Sequence, residues 1–374
     1  MSKLAELIKE LCPDGVEYKK LNEISEMKRG TSVTKKDIIE GDIPVISGGR
    51  EPAYYCDTFN RDCETITVAG SGAGAGYVQY WTVPIFVCDA FSIKGKDCVK
   101  TKYLYYYLSN MQEYIYSTKK GGGVPHVHIS SIDNMKIPIP PLPVQCEIVR
   151  ILDNFTALTS ALTSALTAEL TAQRKRYSGL LNSLLSYEGR SAQDGVLWKK
   201  LGDAVGIKRG VRVVKAQLNE VGEYPVYQNS LTALGNYNYF NCNANKTFLI
   251  TAGAAGEIGY SYVPFWAADD CYYFECNDSG LMERYLYYAL KTRQYKLKRM
   301  VRNASVPRLG RYSIENLLIP VPSLEEQQRI VDILDRFDKL CNDLSEGLPA
   351  EIAARQKQYE YYRDKLLTFK EKEA

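Results

Sequence analysis

The chain has 374 residues, enough for at least two domains with buried cores. Its apolar content of 45% and charged content of 24% are those of an ordinary globular protein, and a net charge of only +3 requires any nucleic-acid-binding surface to come from local clusters of basic residues. Ten cysteines without a C-x-x-C pair and only two histidines argue against zinc, and the lack of a long apolar run or a signal peptide predicts a cytoplasmic protein without a membrane partner.

The first predicted element is a short amphipathic helix at residues 2–11, followed by the sequence CPDGVEYKKL at 12–21. A similar sequence, AQDGVLWKKL, returns at 192–201. Further matching pairs are KRG at 28–30 and 208–210, I/Y-P-V at 43–45 and 224–226, Gly76-Tyr77 and Gly259-Tyr260, and YLYY at 103–106 and 285–288. The chain therefore contains two tandem homologous halves.

Each half is predicted to be an α+β domain. Short runs of β-forming residues alternate with turns rich in Gly and Asn, at 65–68 and 84–87 in the first half and at 247–250 and 271–274 in the second. One helix is predicted near 101–116 and its counterpart near 282–299. We expect domain boundaries that divide the chain into 1–142, 143–187, 188–321 and 322–374, with the second and fourth segments helical.

The longest predicted element is a helix over residues 143–187. Prolines precede it, its apolar residues recur at spacings of three and four, and at about 1.5 Å per residue it would reach roughly 65 Å. A leucine stripe of this kind fits core packing or a coiled coil as well as a spacer. In the second half, Gly347 and Pro349 should split the corresponding helix into 323–345 and 349–370.

Residues 159–170 of this helix read TSAL, TSAL and TAEL, a tandem tetrapeptide repeat. A four-residue period is not a heptad, which weakens the coiled-coil interpretation. The repeat could act as a ruler along DNA, although its rise of about 6 Å per repeat does not match the roughly 3.4 Å of one base pair.

Two glycine-rich segments, 70–76 and 252–259, lack the Lys-Ser/Thr of a phosphate loop and the spacing of a dinucleotide-binding motif. We interpret them as tight strand connections. The sequence also lacks the Asn/Asp-Pro-Pro-aromatic tetrapeptide of adenine methyltransferases, a nuclease carboxylate cluster and a helicase phosphate loop. Catalysis by this chain is therefore not expected.

Basic residues cluster between 281 and 311, where nine lysines and arginines accompany a single acid, Glu283, among interleaved tyrosines. Such a run is often only a solvated surface. Its position before a polar loop favours phosphate contacts combined with base reading. The candidate DNA-binding residues here are Lys298, Arg299, Arg302, Asn303, Arg308 and Arg311.

At the equivalent position the first half carries KKGGGVPHVH, at 119–128. Glycines let the backbone approach a phosphate closely, and histidines can contact base edges or phosphates. A mobile surface loop with incidental histidines is the alternative. The candidates are Lys119, Lys120, Gly122, His126 and His128.

Further candidates follow the first strand of each half or lie in the segments 47–50 and 228–230. Matching positions in the two halves differ in polar chemistry, so two related modules should read two different DNA sequences. The candidates are Lys28, Arg29, Lys35, Lys36 and Arg50 in the first half, and Lys208, Arg209, Arg212, Lys215, Gln228 and Asn229 in the second.

Three segments carry a resemblance to a known family: IPIPPLPVQ at 137–145, IPVPSLEEQQRI at 319–330, and RQKQYEYYR at 355–363. The first two each lead into a long helix. With them, the chain resembles the DNA-specificity subunits of type I restriction-modification systems, over essentially its whole length. The repeat at 159–170 is similar to that of the family branch in which the number of tetrapeptides sets the gap between half-sites.

The resemblance implies an α+β fold with two tandem pseudo-symmetric target-recognition domains in inverted orientation, each followed by a long helical arm, with the arms packing antiparallel. It implies a non-catalytic subunit without a cofactor that reads a bipartite asymmetric site in double-stranded DNA. Two methyltransferase (modification) subunits would bring S-adenosylmethionine and adenine methylation. Restriction (endonuclease/translocase) subunits would use ATP and Mg²⁺.

In this family the helices serve as docking surfaces for the modification subunits. The candidate partner-binding residues are Gln145, Ile148, Gln327, Ile330, Tyr359 and Tyr362. Three other functions stay open: a free-standing DNA-binding protein that acts without a methyltransferase, a methyltransferase that uses the glycine-rich stretch, and a scaffold without a nucleic-acid role.

Overall fold

The computed structural model describes residues 3–33, 39–187, 195–219, 222–276, 280–343 and 346–373. These residues form two compact units. The first unit consists of Met1–Ala165 and Ile352–Ala374, and the second unit consists of Leu166–Glu351. Each unit holds one copy of the internal repeat, and the first is built from both ends of the chain.

The first copy of the repeat contains four helices and nine strands among its described residues. In chain order they are α1 (Lys3–Leu11), β1 (Glu17–Lys20), α2 (Leu21–Ile24), β2 (Ser25–Arg29), β3 (Ile43–Ile46), β4 (Tyr54–Cys56), β5 (Thr65–Ala69), β6 (Val78–Trp81), β7 (Phe86–Val87), β8 (Ala90–Gly95), α3 (Thr101–Asn110), α4 (Gln112–Ser117) and β9 (Lys136–Ile139). The long helix α5 (Leu142–Leu185) follows.

The second copy repeats this order and ends in two helices. Its elements are β10 (Leu197–Lys200), α6 (Leu201–Ala204), β11 (Gly206–Arg209), β12 (Tyr224–Tyr227), β13 (Asn236–Tyr237), β14 (Lys246–Ile250), β15 (Ile258–Ser261), β16 (Trp266–Ala267), β17 (Cys271–Glu275), α7 (Glu283–Arg299), α8 (Arg311–Glu315), β18 (Leu318–Val321), α9 (Leu324–Asn342) and α10 (Leu348–Leu367). The break between α9 and α10 lies where Gly347 and Pro349 predict it.

Each unit contains three small sheets with the same strand order. The four-stranded sheets, β2-β8-β5-β6 and β11-β17-β14-β15, are antiparallel throughout. The three-stranded sheets, β4-β3-β7 and β13-β12-β16, combine one antiparallel and one parallel pairing. The pairs β1-β9 and β10-β18 are antiparallel. The predicted α+β class and the tandem pseudo-symmetric organisation are therefore confirmed.

The core of each unit lies between the four-stranded sheet and one helix. The sheet's β5 has the sequence TITVA and is buried along its whole length, as expected for a run rich in β-branched residues. Helix α3 packs on β5 and β6, and α7 packs on β14 and β15. Tyr103 and Tyr285 are fully buried on these helices and donate hydrogen bonds to Pro138 O (3.0 Å) and Pro320 O (3.1 Å). These bonds tie each helix to the last strand of its unit.

Helix α5 spans 44 residues and agrees with the prediction of 143–187 to within two residues at each end. Two leucines of the predicted apolar stripe are exposed: Leu158, just before the repeat, is 67% exposed, and Leu162, in its first copy, is 37% exposed. A row spaced by four residues rotates by about 40° per step around the helix. The leucines therefore reach the partly buried face only at Leu166 and Leu170.

In each unit, α5 runs antiparallel to one of the later helices. In the first unit the Thr156 hydroxyl lies 2.9 Å from the Tyr359 hydroxyl. In the second unit Arg174 Nη2 donates a hydrogen bond to Cys341 O at 3.4 Å. Burial raises the pKa of Tyr177, and the carboxylate of Asp338 adds to the shift. The residue number therefore rises along α5 as it falls along α10 and α9.

The C-terminal segment closes the first unit. Val16 N donates to Lys370 O and Lys372 N donates to Val16 O, both at 2.9 Å. Gly15 has φ of 101°, and a Cβ there would lie 2.5 Å from Lys370 O, so the close approach requires glycine.

The described residues contain neither a candidate membrane span nor a candidate metal cluster. No helix in these ranges has the length and hydrophobicity that crossing a membrane needs. No group of three or more His, Cys, Asp or Glu side chains in the same ranges could hold a metal ion.

Candidate nucleic-acid interface

In the second unit, several chain segments meet where β11, β12, β14 and β16 end. Leu309 N donates to Thr251 O (2.8 Å), and Thr251 N donates to Asp270 O (2.8 Å). Ala254 N donates to Asn229 O (2.9 Å). We call this edge the second loop surface and define it by residues 209–212, 228–230, 251–256, 268–270 and 302–309.

The side chains of the second loop surface mix cations with hydrogen-bonding groups. Arg308 Nη1 lies 3.7 Å from Asp270 Oδ1. Asp269 accepts a hydrogen bond from Gln228 Nε2 at its carboxylate (3.5 Å) and from Arg209 Nε at its backbone carbonyl (3.1 Å). The structure therefore brings together four of the predicted residues. Arg209, Gln228 and Arg308 take part through their side chains, and Asn229 takes part through its backbone carbonyl. Arg212 and Lys215 are also exposed, beyond the end of β11.

A short closed loop projects from this surface. Arg302 N donates to Arg308 O at 2.9 Å, and Arg308 N donates back to Arg302 O at 3.1 Å. Gly253 N donates to Pro307 O at 3.1 Å, which fixes the loop to the connection between β14 and β15. The residues at 302–306, including the predicted Asn303, are exposed.

The first unit builds the same arrangement, which we call the first loop surface: residues 29–32, 47–50, 70–76, 88–90 and 120–128. Lys120 N donates to His126 O (2.9 Å) and His126 N donates to Lys120 O (2.8 Å). Gly72 N donates to Pro125 O and Val127 N donates to Gly70 O, both at 3.0 Å. These bonds match those of the second unit one for one, so His126 and Arg308 occupy equivalent positions.

A cleft of about 390 Å³ opens in the first loop surface. It is lined by Arg29, Asp89 and the two histidines, whose rings are parallel with centroids 6.1 Å apart. The Ser71 hydroxyl donates a hydrogen bond to the Asp89 carboxylate. Ser71 and Asp89 were not predicted, because Ser71 lies in a glycine-rich segment interpreted as a strand connection and Asp89 stands outside any basic or glycine-rich cluster.

The glycine-rich segments are tight strand connections, as predicted. Gly72 and Gly253 both have φ of 78°. Gly76 N donates to Ala69 O, and Gly256 N donates to Ile250 O. The structural counterpart of Gly76-Tyr77 is therefore Gly256-Glu257, which corrects the match to Gly259-Tyr260, because the second connection is one residue shorter.

Several predicted cations already have a carboxylate partner. The pairs are Lys28 with Glu26 (2.6 Å), Lys208 with Glu275 (3.7 Å), Lys298 with Glu257 and Arg311 with Glu315 (2.6 Å). Burial opposes ionisation of Glu257, but hydrogen bonds from Lys298 and Gln294 lower its pKa. These cations would exchange a carboxylate for a phosphate on binding DNA, so each would contribute less than an unpaired cation.

The basic run between 281 and 311 separates into buried and exposed residues. Arg284 is 9% exposed and contacts Asp335 (2.7 Å) and Asp338 (3.0 Å). Arg293 is 5% exposed and donates to Leu185 O at 3.0 Å. Both therefore belong to the core. Arg299 and Arg302 are exposed.

In the first unit, two predicted cations lie over tyrosine rings. The Arg50 guanidinium is 5.0 Å from the centroid of Tyr77, and Lys119 Nζ is 4.1 Å from that of Tyr116. Gly122 is exposed at the tip of the closed loop. The predicted residues Lys35 and Lys36 lie outside the described residues.

Four of the predicted partner-binding residues are buried inside their own units, which corrects that prediction. Gln145, Ile148, Gln327 and Ile330 are all 0% exposed. Gln145 accepts from Lys100 N (2.8 Å) and donates to the carbonyls of Pro140 (2.7 Å) and Cys98 (3.1 Å). Gln327 makes the same three bonds in the second unit. The proline-to-glutamine motif therefore anchors the start of each helix.

Tyr359 and Tyr362, the other two predicted partner-binding residues, lie on α10. Tyr362 is 40% exposed, and its ring centroid lies 5.7 Å from that of Phe155. Tyr362 and Phe155 line a largely apolar cleft of about 580 Å³ between α1, α5 and α10 in the first unit.

Comparison with known proteins identifies the repeated domain. Residues 13–172 and 195–354 both match the family model described as type I restriction modification DNA specificity domain. A Haemophilus influenzae protein named as a type I restriction enzyme specificity subunit is 30% identical over 95% of this chain and 96% of its own length. The type I restriction enzyme EcoR124I/EcoR124II specificity subunit of Escherichia coli is 30% identical over 99% of this chain and 98% of its own length.

Solved structures show the same fold. The S subunit of a type I restriction-modification system from M. genitalium superposes with a TM-score of 0.59 at 21% identity, covering 94% of this chain and 96% of that one. A chain from a structural study of complex assembly in the type I R-M system gives a TM-score of 0.65 at 16% identity, covering 95% and 98%. Since the family model matches most of the chain in two copies, the chain belongs to the family of type I restriction-modification DNA specificity subunits.

Proposed function

We propose that the first loop surface reads one half-site of a bipartite DNA sequence and that the second loop surface reads the other. The observation that carries this proposal is a shared backbone with different side chains. The loops closed at Lys120–His126 and Arg302–Arg308 use the same reciprocal hydrogen bonds. Two surfaces of one shape with different donors and acceptors suit two different base sequences.

The second closed loop carries the side chains with the clearest base-reading chemistry. Arginine binds the O6 and N7 atoms of guanine in a bidentate manner, and asparagine binds the N6 and N7 atoms of adenine. Arg308 and Asn303 lie on this loop, and both are exposed. The first loop offers His126 in place of Arg308 and glycine in place of Asn303, so it should read a different sequence.

The remaining exposed cations suit phosphate contacts that position each surface on the duplex. In the first unit these include Arg29 and Lys120, next to the half-buried Lys119. In the second unit they are Arg209, Arg299 and Arg302. Contacts of this kind carry no sequence information, but they supply salt-dependent affinity.

The partners proposed for the complex are two modification subunits, which would bring S-adenosylmethionine, and restriction subunits, which would use ATP and Mg²⁺ in the cytoplasm. Tyr359 and Tyr362 remain the proposed contacts for a modification subunit. Tyr362 supports this role because it is partly exposed beside a largely apolar cleft. Methylation requires the adenine to leave the base stack, so the specificity subunit must place a partner's active site over one adenine in each half-site.

The first test is genome-wide mapping of methylated adenines in cells that express this chain with the methyltransferase encoded beside it, compared with cells that lack the chain. We expect a two-part motif with an unread spacer that disappears when the chain is removed. A methylation pattern that is the same with and without the chain would contradict the proposal.

A loop exchange tests which surface reads which half-site. Replacing residues 121–126, GGGVPH, with the NASVPR of 303–308 should change one half of the motif and leave the other half unchanged. Deleting Thr163–Leu166 should change only the spacer length. A loop exchange that altered both halves of the motif would contradict the assignment of one half-site to each surface. A deletion that altered a half-site would contradict the assignment of the repeat to the spacer.

A further inference from the structure

The two closed loops share one feature that their different polar residues do not explain. Each carries the same dipeptide just before its closing residue, Val124-Pro125 in the first unit and Val306-Pro307 in the second. Val124 is 55% exposed and Val306 is 45% exposed. Single exposed aliphatic residues are common, but here the same one occupies the same place on two surfaces that otherwise differ. A shared task at both surfaces accounts for this better than a sequence-reading task.

Each valine projects from a well-anchored base. Reciprocal backbone hydrogen bonds close the loop beneath it, and the carbonyl of the next residue accepts from Gly72 N (3.0 Å) or Gly253 N (3.1 Å). A residue before proline is also restricted to extended conformations. A side chain held in this way loses little conformational entropy when it enters a confined space.

The surroundings of the valines indicate what they enter. Lys119 and Lys120 flank the first loop, and Arg299, Arg302 and Arg308 flank the second. A rigid apolar group between cations matches double-stranded DNA, in which phosphates border the grooves and apolar base faces lie between them. In proteins that deform DNA, apolar side chains enter a base step in this setting and partly unstack it.

The glycines beside Val124 leave room for such an approach. A Cβ added at Gly122 or Gly123 would meet no atom within 4 Å. Neither residue is among the glycines with positive φ. The fold itself therefore does not require glycine at these two positions, and the absence of side chains lets the first loop approach a sugar-phosphate backbone closely.

We propose that Val124 and Val306 are apolar wedges, each of which enters one base step of its half-site and locally unstacks it. The proposal rests on the assignment of the two loop surfaces to the two half-sites. Since both wedges are valine, they do not distinguish one half-site from the other by hydrogen bonding. They favour easily unstacked steps such as TA or CA at one position in each half-site.

The test uses Val124→Thr and Val306→Thr, which keep the side-chain shape and replace one methyl group with a hydroxyl. Matched controls are Val83→Thr and Val263→Thr. These valines are 49% and 51% exposed in the turns after β6 and β15, at the end of the sheet away from the loops. The full chain is assembled with its methyltransferase on a duplex that carries the mapped site, in which 2-aminopurine replaces each base in turn except the methylated adenine.

In the unmodified complex we expect bright 2-aminopurine fluorescence at one step in each half-site. Val124→Thr should quench the signal in the first half-site alone, Val306→Thr in the second alone, and each should weaken binding by about tenfold, which is about 1.4 kcal/mol. The two controls should match the unmodified complex.

Three results would overturn the proposal. A complex that binds the mapped site specifically but gives no signal outside the methylated adenine, or one whose signals persist in both variants, has no valine wedge, and the reading of two half-sites stands. Failure of the unmodified complex to bind the mapped site specifically would overturn both proposals.

Discussion

The two units place different side chains on one backbone, and the differences concentrate at the loop surfaces. Ser71 and His126 form a bridge in the first unit where Ala252 and Arg308 form it in the second. Around the bridge, the hydrogen bonds of the main chain are the same. Recognition can therefore diverge at these positions without a change in the fold, which suits a non-catalytic specificity subunit that recognises DNA sequence for its complex.

A second contrast lies inside the units, where a helix of the recognition domain meets a helical arm. In the first unit Lys102 pairs with Asp153 at 2.8 Å. In the second unit Arg284 occupies the equivalent position, contacts two aspartates and lies 4.6 Å from the centroid of the Tyr260 ring. Lys102 also lies 5.7 Å from the centroid of the equivalent ring, that of Tyr80. The difference is therefore the second carboxylate, which the forked guanidinium reaches and the lysine does not.

The largest expected effect tests whether the glutamine at the start of each helical arm contributes equally to the stability of the two units. Replacing Gln145 or Gln327 with Ala leaves a buried proline carbonyl, a partly buried N–H and a second partly buried carbonyl without their partner, at a cost of about 3 kcal/mol in the free energy of unfolding. Urea unfolding followed by circular dichroism measures the loss. Gln173→Ala, at an exposed i, i+4 pair with Glu169, should cost less than about 0.5 kcal/mol. Near-neutral results for both buried glutamines would show that the anchor is dispensable.

The next effect distinguishes the two helix contacts. Arg284→Met should destabilise the protein by about 2 kcal/mol, since it leaves two partly buried aspartates without their partner. Arg284→Lys should cost about 1 kcal/mol because it loses the fork geometry. Lys102→Met should cost less than Arg284→Met, because Lys102 is 34% exposed and contacts one aspartate. Equal losses for Lys102→Met and Arg284→Met in thermal unfolding would remove the contrast.

A smaller effect concerns phosphate contacts. Arg302→Ala and Lys120→Ala should each weaken binding to specific and unrelated duplexes alike and reduce the slope of log K against log salt by about 1. Lys298→Ala should change the slope less, since its ammonium is paired with Glu257. Fluorescence anisotropy across a salt series measures both quantities.

Lys94→Ala, near the far end of β8, provides the control for the salt series. A slope for Arg302→Ala equal to that of the control would remove this residue from the interface.

The smallest effect is a difference in acid sensitivity. Hydrogen bonds from Arg150 lower the pKa of Glu147 to about 2, against an opposing effect of burial. A carboxylate whose pKa is depressed by folding stabilises the protein above its ordinary pKa of 4.5, and that stabilisation is lost as pH falls toward 2. The equivalent position in the second unit holds Arg329, which pairs with Glu326 at 2.7 Å, so the second unit places its carboxylate three residues earlier on the helix.

Melting temperatures of Glu147→Gln measured from pH 7 to pH 2 test this assignment. The variant should melt below the unmodified protein at pH 7, and the gap should close as the pH falls. Glu6→Gln, an exposed change on α1, serves as the control. A gap that stays constant with pH would contradict the assignment.

Local sequence patterns were sufficient for much of this structure. The repeat, the length of α5 and the break at Gly347 follow from residue spacing and from Pro and Gly, whose effects are local. The equivalence of the segments at 119–128 and 301–310 follows from a constant offset between the copies. These predictions needed no knowledge of which distant segments touch.

The failures at the proposed sites depend on distant contacts. Gln145 and Gln327 each belong to a motif at the start of a helix. Only the folded unit shows that their side chains point inward and donate hydrogen bonds to carbonyls of distant segments. In the sequence, Arg284 and Arg293 belong to a basic run, but in the structure both lie on the buried face of α7. Ser71 and Asp89 are 18 residues apart and meet only through strand pairing.

The closure of the first unit by the C-terminal segment sets an order on its synthesis. A ribosome makes Val16 and Tyr18 early, but their partners, Lys370 and Phe369, emerge only with the last residues of the chain. The second unit is continuous from Leu166 to Glu351, so all of its residues are available before those partners exist. The recognition domain that is translated first is therefore the one whose fold is completed last, and a truncated message would yield a finished second domain beside an open first one.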